Sequence, residues 1–282
     1  MQTVADIKRF CREHNVVPSK GWGQHFLVDP WVNGQFLAAL ALAPGERVLE
    51  IGAGLGALTE ALLEAGADVT AVERDHRLAQ LLKARWGRHE RLHLVVGDVL
   101  AFDWATLTEP VVVAGNLPYS VTSPVLERLV QHVAQVRRAV LTVQREVAQR
   151  IAAGPGGKTY GALTCFVQSH FVPELVVTIP PKAFYPQPEV TSAIIRLTPC
   201  QPARVSPGDL EAFVTVVQAL FQRRRKTLLN GLLNPALALT RDEAAAMIRD
   251  VTLDPQARPE TISVMQMADL ARHYRTRMAK GP

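Results

Sequence analysis

A glycine-rich turn between two short apolar segments constrains this chain more than any other feature. Residues 47–75 read RVLEIGAGLGALTEALLEAGADVTAVERD. The pattern predicts a strand, a turn holding Gly52, Gly54 and Gly56, a helix, and a second strand ending at Glu73. Glycines allow a tight turn whose N–H groups approach a ligand at the helix N-terminus. Because Glu73 follows by about twenty residues, the spacing at which a carboxylate binds a ribose diol, the stretch predicts a nucleoside-cofactor site.

Two classes of cofactor fit this turn. Gly52, Gly54 and Ala57 match the dinucleotide pattern G-x-G-x-x-G/A, which is typical of NAD-linked dehydrogenases. Residues 50–56, EIGAGLG, resemble more closely the first motif of methyltransferases that use S-adenosylmethionine (SAM). The turn by itself leaves both alternatives open.

The order of segments predicts two domains. Short apolar segments alternate with helix-length segments up to residue 197, which predicts an α/β, Rossmann-like domain with a mostly parallel sheet and helices on both faces. Residues 198–207, TPCQPARVSP, hold three prolines and form the best linker candidate. Only helices are predicted beyond them. We therefore expect a catalytic domain at 1–200 and a small all-helical domain at 201–282.

Composition limits the compartment. With 282 residues, of which 48% are hydrophobic, the chain can bury a substantial core. No apolar run approaches the roughly 18 residues of a membrane helix, and the charged N-terminus lacks a signal-peptide core. The cysteines, Cys11, Cys165 and Cys200, have no metal-binding spacing and fit reduced thiols. A cytoplasmic protein is expected.

Positive charge is concentrated in the second predicted domain. Residues 201–282 hold 12 of the 31 basic and 8 of the 26 acidic side chains, which is +4 of the net +5. Four consecutive cations, Arg223, Arg224, Arg225 and Lys226, stand at the start of a helix predicted over 224–233. Such an excess suits a polyanionic partner, so this run is a candidate phosphate-binding site.

Two further polar residues follow predicted strands. Asp98 comes after the strand at 92–96, and Asn116 comes after the strand that begins at Val111. Ligands of open α/β sheets bind outside the carboxyl ends of the strands. We therefore expect the glycine turn, Glu73, Asp98 and Asn116 to converge on one crevice. There Asp98 would accept a hydrogen bond from the adenine amino group of the cofactor.

The tetrapeptide Asn116-Leu117-Pro118-Tyr119 separates the two cofactor hypotheses. A dehydrogenase does not need it, whereas an enzyme that methylates adenine N6 does, because that nitrogen's lone pair is delocalised into the ring. Acceptors from the Asn116 side chain and from a backbone carbonyl beside Pro118 would favour a pyramidal nitrogen. Pro118 would stiffen the turn, and Tyr119 could stack on the base, worth about 1–3 kcal/mol. Catalysis would then consist mainly of positioning.

A pair of aromatic residues precedes the last predicted strand. Phe184 or Tyr185, on a loop braced by prolines, could cover the other face of a flipped base.

One motif points to a metal site that we do not predict. His89-Glu90-Arg91-Leu92-His93 matches the zinc-protease signature, which requires both histidines on one helical face. Gly87 breaks the preceding helix and His93 begins a strand, so no zinc site is expected.

In combination these motifs resemble the ribosomal RNA adenine N6-dimethyltransferases, and most closely the bacterial small-subunit (KsgA) type. The matching segments run nearly end to end and are GQHFL (23–27), EIGAGLG (50–56), Glu73, Gly97-Asp98, NLPY (116–119), PGGKTYG (155–161), FYPQPEVTS (184–192), LFQRRRKTL (220–228) and RPETIS (258–263).

The resemblance implies a reaction and a set of site residues. It implies SAM-dependent dimethylation of two adjacent adenines in the 3′-terminal hairpin of 16S rRNA, late in small-subunit assembly. The residues implied for SAM are His25, Leu27, Gly52, Gly54, Gly56, Glu73, Asp98 and Asn116. Those implied for the target adenine are Asn116, Leu117, Pro118, Tyr119 and Phe184. Position 25 is His where many members have Asn.

Two rival functions remain within the same fold. The 23S rRNA dimethyltransferases of the macrolide-resistance type share the catalytic motifs, and a relative can serve as a non-catalytic RNA-binding assembly factor. The RRRKTL and RPET segments resemble the small-subunit branch. Without a heptad pattern or an exposed apolar stripe, a monomer is expected.

Overall fold

The chain forms two compact units, described by a computed structural model for residues 4–14 and 16–279. The first unit contains residues up to 148 together with 174–199, and the second contains 149–173 and the residues from 200 onward. The predicted division at 200 thus misplaces residues 149–173. The reason is packing: Tyr160 and Cys165 are buried in the same apolar cluster as the C-terminal helices.

A seven-stranded sheet organises the first unit. Its strands stand in the order β4-β3-β2-β5-β6-β9-β7. Neighbours from β4 to β6 are parallel and β9 is antiparallel to β6. This is the predicted mostly parallel sheet. The bounds are β2 (Arg47–Ile51), β3 (Asp68–Glu73), β4 (Leu92–Val96), β5 (Val111–Asn116), β6 (Val136–Gln144), β7 (Phe171–Ile179) and β9 (Ser192–Pro199).

Helices connect these strands. Their bounds are α1 (Val4–Glu13), α2 (Pro30–Leu40), α3 (Ala57–Glu64), α4 (His76–Trp86), α5 (Thr122–Gln131) and α6 (Arg145–Ile151). Helix α2 begins at Pro30, because the Asp29 carboxylate accepts a hydrogen bond from the Trp31 N–H at 2.9 Å and Pro30 occupies the first turn. The sheet and helices bury a core that includes Phe36, Leu62 and Val112.

A second, two-stranded sheet fixes the N-terminal motif. Strand β1 (Phe26–Leu27) pairs antiparallel with β8 (Phe184–Tyr185), with Phe26 opposite Tyr185. The GQHFL segment and the aromatic loop, which are far apart in sequence, are thereby held together.

The second unit is helical. Its helices are α7 (Ala162–Gln168), α8 (Leu210–Gln222), α9 (Leu228–Leu232), α10 (Arg241–Asp250) and α11 (Val264–Met278). Capping boxes at Thr240 and Ser263 start the last two helices. Phe213, Leu220 and Leu270 are buried in the core of this unit. In the described part of the chain, no helix has the length and apolar character to cross a membrane.

One predicted helix begins later than expected. Residues 223–226 form a turn, not the first turn of a helix over 224–233. Helix α9 starts after Thr227, whose hydroxyl accepts a hydrogen bond from the Asn230 N–H at 3.4 Å. The threonine cap competes with continuation of the helix and places the four cations in the connection.

Candidate active site

A cavity of about 210 Å³ opens at the carboxyl ends of β2, β3, β4 and β5. Because these four strands are parallel, their last residues lie at one edge of the sheet. The predicted site residues that line the cavity are His25, Leu27, Gly52, Gly54, Glu73, Asp98, Asn116 and Pro118. The predicted convergence of the strand ends is therefore present in the fold.

Glu73 is held rigidly at the wall of this cavity. One carboxylate oxygen accepts a hydrogen bond from the Gly54 N–H at 2.8 Å, and the other accepts one from the Asp75 N–H at 2.7 Å. Burial raises the pKa of Glu73 above its ordinary value. Gly54 has a φ of +59°, which favours glycine and lets its N–H reach the carboxylate. The turn and the acid thus form one preorganised acceptor.

Gly56 has a structural role. It does not line the cavity, and its φ is +81° at the N-cap of α3. A Cβ atom at this position would stand 2.2 Å from the Trp86 ring. The third glycine of the motif therefore allows α3 to pack against α4 and is not placed to touch a cofactor.

Glu50 is a cavity residue to which the sequence analysis gave no role. Its side chain is 1% exposed and accepts a hydrogen bond from the Thr59 hydroxyl at 2.7 Å. Its other oxygen has no hydrogen-bond partner in the described part of the chain. Burial raises the pKa of Glu50 to about 7. An unpaired buried acceptor that lines a cavity is costly unless a ligand satisfies it.

Asp98 stands at the end of β4 with two contacts. Its Oδ1 accepts a hydrogen bond from the Leu100 N–H at 2.9 Å, which leaves Oδ2 toward the Arg74 guanidinium at 3.4 Å. Arg74 also lies over the Trp22 ring, 5.7 Å from its centroid. Arg74 and Trp22 both line the cavity. Neither residue was predicted from the sequence, where the position of Trp22 between two glycines was the available signal.

The amide of Asn116 has a defined orientation. Its Nδ2 donates a hydrogen bond to the backbone carbonyl of His25 at 2.8 Å. The amide oxygen is therefore left as the available acceptor. The His25 ring is tied to the Pro186 carbonyl through Nδ1 at 2.7 Å and stacks on Tyr119 with 5.9 Å between ring centroids. His25 thus contacts two of the residues predicted to bind the target base.

The other predicted catalytic residues have different surroundings. Leu117 is buried, and Tyr119 is half-buried with its hydroxyl 2.6 Å from the Ser192 hydroxyl. Neither Tyr119 nor Phe184 lines the cavity, but Phe184 is 1% exposed within the core of the first unit, whereas Tyr119 is partly exposed. The structure therefore does not bring Phe184 into the position expected for an aromatic that covers a base.

The basic segment divides into two kinds of residue. The side chains of Arg223, Arg225 and Lys226 are exposed and make no hydrogen bond or ion pair in the described part of the chain. Arg224 donates a hydrogen bond to the Gly157 carbonyl at 3.2 Å, and its Nε lies 3.9 Å from a Glu260 oxygen. Three of the four cations are available to a polyanion, and the fourth supports the second unit.

The histidines of the zinc-like motif lie apart from any helix. Helix α4 ends at Trp86 and His93 lies in β4, where its Nε2 is 3.3 Å from Asp68. Within residues 4–14 and 16–279, no group of three His, Cys, Asp or Glu side chains could hold a metal ion.

The cavity fits SAM by its set of acceptors. SAM presents a ribose diol, an adenine amino group and a cationic methionine portion. Fixed carboxylate oxygens stand at the ends of β3 and β4, and a buried oxygen of Glu50 has no protein partner. Because Glu73 and Asp98 present carboxylate oxygens and the interior walls are apolar, the residues suit a cationic nucleoside.

The family model described as ribosomal RNA adenine dimethylase matches residues 18–275. The chain belongs to this family. The rRNA adenine dimethylases are SAM-dependent methyltransferases, so the predicted fold class, enzyme class and cofactor are confirmed.

Relatives of this dimethylase extend over nearly its whole length. The ribosomal RNA small subunit methyltransferase A of Magnetococcus marinus is 39% identical, covering 94% of this chain and 95% of its own. The protein of the same name from Pseudomonas aeruginosa is 40% identical, covering 89% and 92%.

Two solved structures show the same fold. A dimethyladenosine transferase from Plasmodium falciparum superposes with a TM-score of 0.76 at 23% identity, covering 90% of this chain and 98% of its own. The 23S rRNA methyltransferase ErmE gives a TM-score of 0.69 at 25% identity, covering 89% and 99%.

Proposed function

We propose that this dimethylase transfers methyl groups from SAM to N6 of two adjacent adenines in the 3′-terminal hairpin of 16S rRNA. It acts on the small subunit late in assembly, in the cytoplasm and as a monomer. The orientation of the Asn116 amide beside the cofactor cavity carries the proposal, since it leaves a fixed acceptor for an amino group. The small-subunit reading is supported by relatives of that name at 39–40% identity, against 25% for ErmE.

The cofactor would be held by the residues at the strand ends. Glu73 would accept hydrogen bonds from the ribose diol, Asp98 from the adenine amino group, and Gly52 and Gly54 would let the backbone approach closely. Backbone and side-chain atoms of His25, Leu27 and Asn116 would close the remaining side. SAM, when bound, supplies a methyl group on a sulfonium that is transferable to a nitrogen nucleophile.

Two acceptors in the tetrapeptide would hold the target nitrogen. The Asn116 oxygen accepts one N6 proton. The Pro118 carbonyl already accepts a hydrogen bond from the Val121 N–H at 3.0 Å, so the Leu117 carbonyl is the acceptor for the second proton. The buried Leu117 side chain anchors that carbonyl. Held in this way, the nitrogen directs its lone pair toward the methyl group, and the rate gain comes from positioning.

Tyr119 is the residue we propose to stack on the target base. Its ring is half-buried and one face is covered by His25. Phe184 would have to leave the core to reach a base, so we assign the stacking to Tyr119 alone.

The second unit would bind the rRNA of the particle. Arg223, Arg225 and Lys226 are exposed and suit phosphate contacts, whereas Arg224 is engaged with Gly157 and Glu260. The first unit, which holds every residue proposed here for the cofactor and the target adenine, would carry the chemistry.

The test is methyl transfer from labelled SAM to unmethylated 30S and 50S particles in parallel, with nuclease digestion of the product. We expect N6,N6-dimethyladenosine from 30S particles only. Label in 50S particles would assign the protein to the 23S type. Bound SAM without label in either particle would leave an assembly role without chemistry.

A further inference from the structure

A buried serine contacts the proposed base-stacking residue. The Ser192 hydroxyl lies 2.6 Å from the Tyr119 hydroxyl, although the two residues are 73 positions apart. Ser192 is 0% exposed. Burial raises the pKa of Tyr119, so its hydroxyl stays neutral near pH 7 and can donate this hydrogen bond. The far end of a half-buried ring is thus fixed by a group that never meets solvent.

The sheet register explains why this serine stands there. Asn116 on β5 is opposite Thr142 on β6, Thr142 is opposite Ile194 on β9, and Ser192 is opposite Gln144. Cross-strand partners, and residues two apart on a strand, share one face of a sheet. Asn116 and Ser192 therefore project from the same face, and the hydroxyl of Tyr119, three residues after Asn116, reaches Ser192 on β9.

The ring of Tyr119 is restrained on a second side. The His25 ring stacks against it with an interplanar angle of 27°, and His25 is itself bonded to the Pro186 carbonyl. The carbonyl of the same His25 orients the Asn116 amide. The hydroxyl end of Tyr119 is therefore anchored and one face of its ring is covered. The other face is left for the target base, at a fixed angle to the Asn116 and Leu117 oxygens that would accept the N6 protons.

We infer that Ser192 is a positioning residue for methyl transfer. It holds the Tyr119 ring in the orientation in which the target adenine stacks on it. This inference rests on the proposed function. Ser192 does not touch the base or the cofactor; it acts through Tyr119. Small errors in the placement of a nucleophile cost large factors in rate, so a ring freed at its hydroxyl end lowers the rate of transfer without weakening cofactor binding.

The experiment is a double-mutant cycle of Ser192→Ala and Tyr119→Phe, assayed by methyl transfer to unmethylated 30S particles. Each single variant removes the same hydrogen bond from one side. We expect each to lower kcat about tenfold, with KM for SAM and the equilibrium Kd for SAM unchanged. The double variant should be no worse than either single variant, because the bond can be lost only once.

Ser169→Ala is the matched control. Ser169 is also 0% exposed and its hydroxyl donates to the Phe166 carbonyl at 2.6 Å, but it lies in the second unit. We expect this variant to lower the thermal midpoint without changing kcat. If Ser192→Ala folds poorly, Tyr119→Phe carries the test, because it breaks the bond at a half-buried residue.

The outcomes separate the inference from the function on which it rests. A wild-type protein that does not methylate 30S particles overturns the proposed function. An active wild type with full kcat in both single variants overturns the role of Ser192 alone. Multiplicative losses in the double variant, or an equal loss in Ser169→Ala, would also overturn it, since the effect would then be one of general stability.

Discussion

The sequence predicts two ligand sites, the strand-end cavity and the basic segment at residues 223–226. In the fold, the residues of the first site converge and those of the second diverge. In the cavity, Gly52, Glu73, Asp98 and Asn116 are spread over 65 positions, and the parallel register brings them to one edge. In the basic segment four neighbours diverge, because Arg224 turns to Gly157 and Glu260 while the others stay exposed. Register fixes where a side chain points, and adjacency in a loop does not.

The largest effect is expected at the cavity. Asn116→Ala removes the oriented acceptor, so we expect a loss of about 10²–10³ in kcat, typical of removing a preorganised polar group. RNA and particle binding should stay nearly intact. The measurement pairs labelled methyl transfer with filter binding to 30S particles. A comparable loss in both would show that Asn116 belongs to the binding surface and would break the contrast between the two regions.

The buried carboxyl group of Glu50 predicts that the stability of the protein depends on pH. The exposed basic segment has no corresponding buried group. The pKa of Glu50 is about 7 in the folded protein, against an ordinary value of 4.5. As pH rises from 4.5 to 7, the unfolded chain releases this proton and the folded chain retains it. The free energy of unfolding therefore falls by roughly 3 kcal/mol across this window. The contribution of the protonated Glu50 to the free energy of unfolding is complete below pH 4.5 and lost above pH 7.

Glu50→Gln cannot ionise, so it should keep that stability at pH 7 and above. Denaturant unfolding at pH values from 4.5 to 8 measures it, with the exposed Glu64→Gln as the matched control. Parallel pH curves for wild type and Glu50→Gln would show that Glu50 does not carry the dependence.

A smaller effect is expected in the basic segment. Arg223→Gln with Arg225→Gln should weaken 30S binding about tenfold and reduce the slope of log affinity against log salt by about 1 to 2. SAM affinity should not change. The control is Arg241→Gln with Arg249→Gln, which removes two exposed cations elsewhere in the second unit. An equal loss of 30S affinity in both double variants would mean that binding depends only on the net charge of the protein.

The smallest effect separates Arg224 from its neighbours. Arg224→Ala loses the hydrogen bond to the Gly157 carbonyl and the contact with Glu260, so we expect about 1 kcal/mol less stability. Particle affinity should match wild type. Calorimetry and filter binding on the same preparations measure both quantities. Weakened binding with an unchanged thermal midpoint would place Arg224 with the exposed cations after all.

The amino-acid sequence alone is enough to predict the family, the mostly parallel sheet and the convergence of the strand ends. Short apolar segments ending in Gly, Glu, Asp and Asn admit few arrangements, because parallel strands must align their carboxyl ends. Asp29 followed by Pro30 is likewise a local signal for a helix start, and α2 begins there. Each strand end and helix start among these features is specified by residues close in sequence.

Roles that depend on contacts between distant residues follow from the three-dimensional fold. Gly56 packs under Trp86, Phe184 is buried in the core, and Arg224 is tied to Gly157. Residues 149–173 joined the second unit because their apolar side chains are buried with helices that follow much later in the chain. Ser192 reaches Tyr119 through the β5-β6-β9 register. A local pattern states what a residue can do, and long-range packing decides which side chains meet.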